Sequence, residues 1–125
     1  MATKLTNGAV AKLIDGIYGT SITAPTYIGW GTGSTAAAVT DTALQTASAE
    51  SRTNGTKSKV TTTVSNDTLQ VVGTITSSSG QTISEAGLFD ASTSGNMYVH
   101  GVFTGIALLT GDSIAFTITI QVTTS

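Results

Sequence analysis

The chain has no cysteine, which excludes disulfide frameworks, thiolate zinc sites and cysteine nucleophiles. Charge is nearly as scarce: Asp, Glu, Lys and Arg supply 10% of the residues, against roughly 25% in an average soluble protein. The basic residues are Lys4, Lys12, Arg52, Lys57 and Lys59, and the net charge is −2. Neutralising phosphates takes clustered Lys and Arg, so no nucleic-acid partner is expected; Arg52, Lys57 and Lys59 read as the flanks of a solvated turn. Long apolar runs are missing too. The cluster from Ala9 to Ile14 is short and interrupted by Lys12, with Asp15 close behind, so neither a signal peptide nor a helical membrane span is expected over residues 1–22. Synthesis and assembly in a cytoplasm, with no membrane partner, is the expectation.

What the chain has instead is threonine and serine, about a third of all residues. The branched Cβ of threonine suits the pleated, half-buried geometry of a strand. Hydrophobic residues make up 39% of the sequence, enough for an interior and too many for a disordered chain of low net charge. At 125 residues, a single β-rich domain spanning 1–125 is expected.

Residues 1–25 read as a helical N-terminal segment. Within T-N-G-A-V-A-K-L-I-D-G-I-Y-G, Val10, Leu13, Ile14 and Ile17 keep the i, i+3, i+4, i+7 rule, Thr6 or Asn7 can cap the start, and Gly16 or Gly19 can end it. So short a helix is marginal in water and has to dock on its own sheet or on a neighbouring subunit. Thr26–Trp30 reads as extended, followed by the glycine-rich Gly29–Gly33, and Thr40 or Asp41 can cap a short helical turn over Thr42–Ala49. From Lys57 the period changes to two. Val60, Thr62 and Val64, a turn at Asn66 and Asp67, then Leu69, Val71, Gly73 and Ile75 predict a hairpin. Further strands are predicted over Thr82–Phe89 and Met97–Phe103. The last is the clearest: Ile114, Phe116, Ile118, Ile120 and Val122 alternate with Ala115, Thr117, Thr119 and Gln121. Five or six strands with tight turns predict an all-β, mainly antiparallel fold, a β-sandwich or jelly-roll-like barrel with a short N-terminal helix.

The inventory for chemistry is thin. His100 is the single histidine, set in a predicted strand, where it reads as partly buried or surface; a triad of His100 with a serine and Asp90 or Asp112 lacks any nucleophile motif. Gly29, Gly31 and Gly33 miss the dinucleotide fingerprint, because Ser34 stands where the third glycine belongs, and read as backbone passing close to other main chain. Asp67, Glu85, Asp90 and Asp112 lack calcium-loop spacing. Asp90 and Asp112 sit beside turns and are expected to bond their own backbone, whereas Glu85, in an apolar context, needs a partner such as Arg52 or a backbone amide if it points inward. Trp30 and Tyr27 read as interface anchors. No catalytic, cofactor-binding or metal-binding residue is assigned; no enzyme activity, cofactor or small-molecule substrate is expected.

The segments I-S-E-A-G-L-F-D-A-S (Ile83–Ser92), S-G-N-M-Y-V-H-G-V-F, G-D-S-I-A-F-T-I-T-I-Q-V, Y-I-G-W-G-T-G-S-T-A-A-A-V-T-D-T-A-L (Tyr27–Leu44) and T-N-G-A-V-A-K-L-I resemble a family of small tailed-phage virion structural proteins. Tail-collar fibre proteins have a similar G-L-F-D turn, so head and tail both remain open. The resemblance implies a noncatalytic virion component present in many copies. The first expectation is a capsid decoration or cement protein, a homotrimer binding between major capsid subunits; the alternative is a tail or tail-fibre/collar component in assembly or host attachment. In both, the protein resides in the virion and is made in the host cytoplasm.

Overall fold

A computed structural model describes residues 2–124; Met1, the first residue of the expected helical segment, and Ser125, the last of the expected domain, lie outside the described residues. The expected helical segment is three pieces. Ala2–Leu5 forms strand β1, Asn7–Tyr18 forms helix α1, and residues 20–26 are irregular. Thr6 divides the first two. Its backbone is extended, its side chain accepts a hydrogen bond from the Ala9 amide, and its own hydroxyl donates to the Met97 carbonyl at 2.5 Å. The cap stops the helix from growing backwards and leaves residues 2–5 free to pair with a strand edge. Gly19 closes the helix in the left-handed region at φ 104°, its amide donating to the Asp15 and Gly16 carbonyls.

The strands follow as β2 (Tyr27–Gly31), β3 (Thr53–Asn54), β4 (Thr56–Val60), β5 (Thr68–Thr76), β6 (Gln81–Phe89), β7 (Met97–Leu108) and β8 (Ser113–Gln121). All pairings are antiparallel. A five-stranded sheet runs β1-β7-β6-β2-β3 and a three-stranded sheet runs β4-β5-β8. The result is a mostly antiparallel, sandwich-like all-β fold, and the two sheets do not close into a barrel. Ile28, Trp30, Ile83, Leu88 and Val99 of the larger sheet meet Val71 and Ile75 of the smaller, with Leu69, Ile114, Phe116, Ile118 and Ile120 packed at the margin. Trp30 and Phe116 lock the sheets edge to face, ring centres 6.3 Å apart. The strict alternation read in β8 thus puts its apolar face on the core, half-buried.

The hairpin of β4 and β5 forms, with β4 ending at Val60 instead of running on through Val64. The reason is Asp67, whose carboxylate collects the amides of Thr62, Thr63 and Val64 and the hydroxyl of Thr68, wrapping residues 61–67 into a loop. Asp112 holds its own turn through the Leu109 amide at 2.8 Å, and Asp90 holds residues 90–96 through the amide and side chain of Asn96.

The two edges of the small sheet differ. On β4, Lys57 and Lys59 stand opposite Val71 and Leu69, so they share the core-side face of the sheet while remaining exposed beyond the core. Inward charge of this kind blocks edge-to-edge pairing. The other edge, β8, has no charged residue from Ser113 to Gln121.

Leu88, fully buried near the end of β6, measures the core: Leu88→Ala should lower the unfolding free energy by about 2–5 kcal/mol in urea titration, whereas Leu109→Ala, at a position 73% exposed, should stay within about 0.5 kcal/mol.

Candidate functional site: a buried ionic centre and an uncovered helix face

β6 is buried on both faces from Ile83 to Phe89. One face meets the small sheet. The other meets residues 32–50, a long loop that the sequence predicts to be partly helical over Thr42–Ala49. The stretch 42–49 is not helical, because its amides and carbonyls are claimed from outside it. Thr32 donates to the Thr46 carbonyl, Ser48 donates to the Trp30 carbonyl, and Ala47 bridges to Gly31. These bonds leave no i to i−4 ladder.

Glu85 anchors this loop. An irregularity between Ile83 and Glu85 changes the phase of β6, so that Ile83 joins the core while Glu85 turns to the opposite face. Its Oε2 accepts from the amides of Gly33 (3.0 Å) and Thr46 (2.7 Å), and its Oε1 accepts from the Gln45 amide (2.9 Å) and from Nε2 of His100 (2.8 Å). Nδ1 of His100 donates in turn to Oδ2 of Asp41 at 2.6 Å, which also receives the Ala38 amide. Glu85 and His100 are both 0% exposed. Burial pushes the Glu85 carboxyl up, and the Thr46 and Gln45 amides, His100 and the Gly33 amide outweigh it, so the group ionises below its usual range. Asp41 is lowered as well, by the Ala38 amide first and His100 second. Each ring nitrogen thus faces a carboxylate oxygen, and both are occupied.

The glycines make this approach possible. A Cβ on Gly33 would stand 2.5 Å from Oε2 of Glu85 and 2.5 Å from the Gln45 side chain, and one on Gly31 would collide with the Thr46 carbonyl. The reading of backbone passing close to other main chain holds at Gly31; at Gly33 the close neighbours are the Glu85 and Gln45 side chains, and at Gly29 they are those of Arg52, Leu44 and Phe89.

A second carboxylate, Glu50, ties the far end of the loop. It accepts from the Trp30 indole at 2.9 Å, from the Ser78 amide and hydroxyl, and from the Gln81 amide group. Burial raises its pKa; hydrogen bonds from the Ser78 hydroxyl and amide, Trp30 and Gln81 prevail and hold it at about 2. Glu50 carries no signal in the sequence, sitting between Ala49 and Ser51.

Several expected placements are corrected. His100 is fully buried, not a partly buried or surface residue, and its partners are Asp41 and Glu85. Both of its nitrogens are spent on carboxylates, and no serine is among its hydrogen-bond partners. Arg52 does not reach Glu85: it stacks 3.5 Å above the Phe89 ring and donates to the carbonyls of Ala91 and Ser94. Trp30 is core at 2% exposure, not an interface anchor, and Tyr27 is half-buried within β2. A cleft of about 310 Å³ opens between Trp30, Leu44, Glu50, Arg52 and Ser94, and its two charged groups are already engaged as above. Among the described residues, no cluster of three or more His, Cys, Asp or Glu is arranged to hold a metal ion; the imidazole lies between its carboxylates instead of converging with them.

The surface carries the other distinctive feature. Only Ala9 of α1 is buried, while Val10, Ile14, Ile17 and Tyr18 are 50%, 59%, 83% and 86% exposed. The helix docks on its own sheet by one narrow side and leaves an apolar stripe uncovered.

Two measurements probe the buried centre. His100→Ala leaves Glu85 and Asp41 short of the partner they share and should cost about 3–5 kcal/mol of unfolding free energy in denaturant titration. Acid should act on the same ties. Depressed carboxyl pKa values stabilise above the ordinary value of 4.5, and that contribution drains away as the pH falls through the folded value, about 2 for Glu50. The urea midpoint should therefore drop across that window, and Glu50→Gln should flatten part of the slope.

No curated protein and no solved structure matches the chain. A family model does, over residues 4–124, which takes in every secondary-structure element apart from the first residues of β1. The match covers nearly the whole chain; the protein belongs to the family described as Podophage GP4 fiber I protein gp80, a family of small tailed-phage virion structural proteins.

Proposed function

We propose that this chain is a noncatalytic fibre component of a podophage tail, working in assembly or host attachment, with copies of itself and other virion proteins as its partners. The observation that carries this reading is the family match, whose description names a fibre. The expectation of a capsid decoration protein has no observation of its own to set beside it. The geometry is in keeping with a structural role. His100 has no free nitrogen to act as a base, and Glu85 and Glu50 are saturated by donors, so neither offers the unpaired proton site that acid–base catalysis requires. Nucleic acid, membrane and small-molecule substrates have no part in this reading.

Purified particles provide the test. Quantitative gels should find the chain scarce beside the major capsid protein, and an antibody against it should decorate tails in negative-stain images. Abundance approaching that of the major capsid protein, with label over the shell, restores the decoration reading. For catalysis, the purified chain should release no sugar or peptide from host envelopes; a release that His100→Ala abolishes would falsify the noncatalytic assignment.

A further inference from the structure

Strand β8 is joined to β5 on one side and open on the other. Its register with β5 runs from Ser113 to Gln121 without a shift, and it contains no proline, glycine or charge. An open edge of that length is a template for another strand, because every second residue directs its N–H and C=O outward, and proteins ordinarily blunt such an edge with charge, a bulge or brevity. The other outer strands are blunted. β4 has Lys57 and Lys59, β1 is four residues long and includes Lys4, and β3 has two residues. β7 outruns β1 beyond Val102, and there Gly105 interrupts it. Among the described residues, β8 is the outer strand left without a guard. A second observation lies beside it. An apolar cleft of about 320 Å³ runs along this edge, between Val99 and Phe103 of the larger sheet and Phe116 and Ile118 of β8. A free edge supplies main-chain bonds and a flanking cleft takes alternate side chains, which is how a sheet accepts an added strand.

The strand that suits this edge is apolar on the cleft side, uncharged and of equal length, and β8 of a second copy is all three. Antiparallel pairing about a two-fold axis at Thr117 engages every residue of the strand. Phe116 then falls opposite Ile118 and Ile114 opposite Ile120 on the cleft side, with Ala115 opposite Thr119 and Ser113 opposite Gln121 on the outer side. The nearest charge in sequence, Asp112, falls opposite Val122, so no like charges meet. Connectivity sets the number of copies. Each β8 has a single open side, so two copies use both and leave β4 outermost at either end. We propose that β8 is the site at which two copies of this chain join, strand to strand about a two-fold axis through Thr117, so that their smaller sheets become one. The proposal deepens, and rests on, the reading of the chain as a fibre component that works with copies of itself.

Sedimentation equilibrium of the full chain over a dilution series should give twice the monomer mass. Thr117→Lys and Thr117→Glu each set like charges face to face at the axis and should halve that mass. Thr117 is exposed, so both variants should keep the far-UV circular dichroism of the wild type. Mixed in equal amounts they should regain the dimer, because lysine then meets glutamate. Ile14→Asp, on the exposed face of α1, should leave the dimer intact. The proposal is overturned by a wild-type chain that is monomeric or trimeric, by Thr117 variants that stay dimeric, by a mixture that stays monomeric, or by a dimer that Ile14→Asp disperses. Particle content separates this from the wider reading. A chain that pairs through β8 but is missing from particles refutes the fibre role alone, and a chain found in particles yet monomeric in solution refutes only the β8 site.

Discussion

Glu85 is a carboxylate placed at zero exposure in the central strand of the larger sheet, and almost everything on that side of the molecule is arranged to tolerate it. An ionised carboxylate without partners costs several kcal/mol in such a place, even after local relaxation. Three backbone amides and the His100 ring offset that cost, and each of the four donors comes from a segment that the bond then holds still. Gly33, Gln45 and Thr46 belong to a loop with almost no regular structure; without the carboxylate the Gly33 amide would be buried and unsatisfied, and the part-buried Gln45 and Thr46 amides would lose their acceptor. The buried charge thus acts as the ordering centre of residues 32–46, and Asp41 extends the same network outwards through His100. Specification of one loop conformation is the role this arrangement supports, more than raw stability, since a buried ion pair seldom exceeds a well-packed apolar substitute.

The periodic parts of this fold were legible in the sequence, and the irregular parts were legible only in fragments. β5 and β8 stand close to where the alternation of Leu69 to Ile75 and Ile114 to Ile120 places them, because a period of two with one apolar face has few other solutions, and β6 and β7 cover the predicted Thr82–Phe89 and Met97–Phe103, β7 running on to Leu108. The caps of α1 were readable for the same local reason: Thr6 and Gly19 act within a few residues of themselves. β1 was not, since Ala2–Leu5 has no pattern and becomes a strand through the edge that β7 offers from about 95 residues away in sequence. Residues 42–49 were misread as a helical turn because small residues and an acidic cap suit one locally; what overrules them is Glu85, some 40 positions on. For the polar centre, the oddity of Glu85 in an apolar run and the need for a backbone amide were visible. His100 and Asp41 as its companions were not, because nothing local ties three residues so far apart. Glu50 gave no hint at all, and Trp30, flanked by glycines, pointed outward to a reader of sequence and inward in the fold.

Charge in this protein is thus rationed between two duties. Glu50, Asp67, Glu85 and Asp41 hold loops, and Arg52 clamps a turn against Phe89. The outward faces of the strands are left to threonine and serine, whose hydroxyls are readily hydrated yet cost little to remove from water beside a lysine or glutamate. A surface so composed is suited to contact with other subunits, where stranded charge is the main penalty.

The placement of Lys57 and Lys59 on the inward side of β4 has a further consequence. A filament that grew by laying the sheet of one molecule end on end with the next would have to press these two ammonium groups into apolar company at every joint. That direction of growth is shut. A molecule guarded in this way at one edge can join through its smaller sheet only once, at β8, and such a joint closes on itself instead of extending.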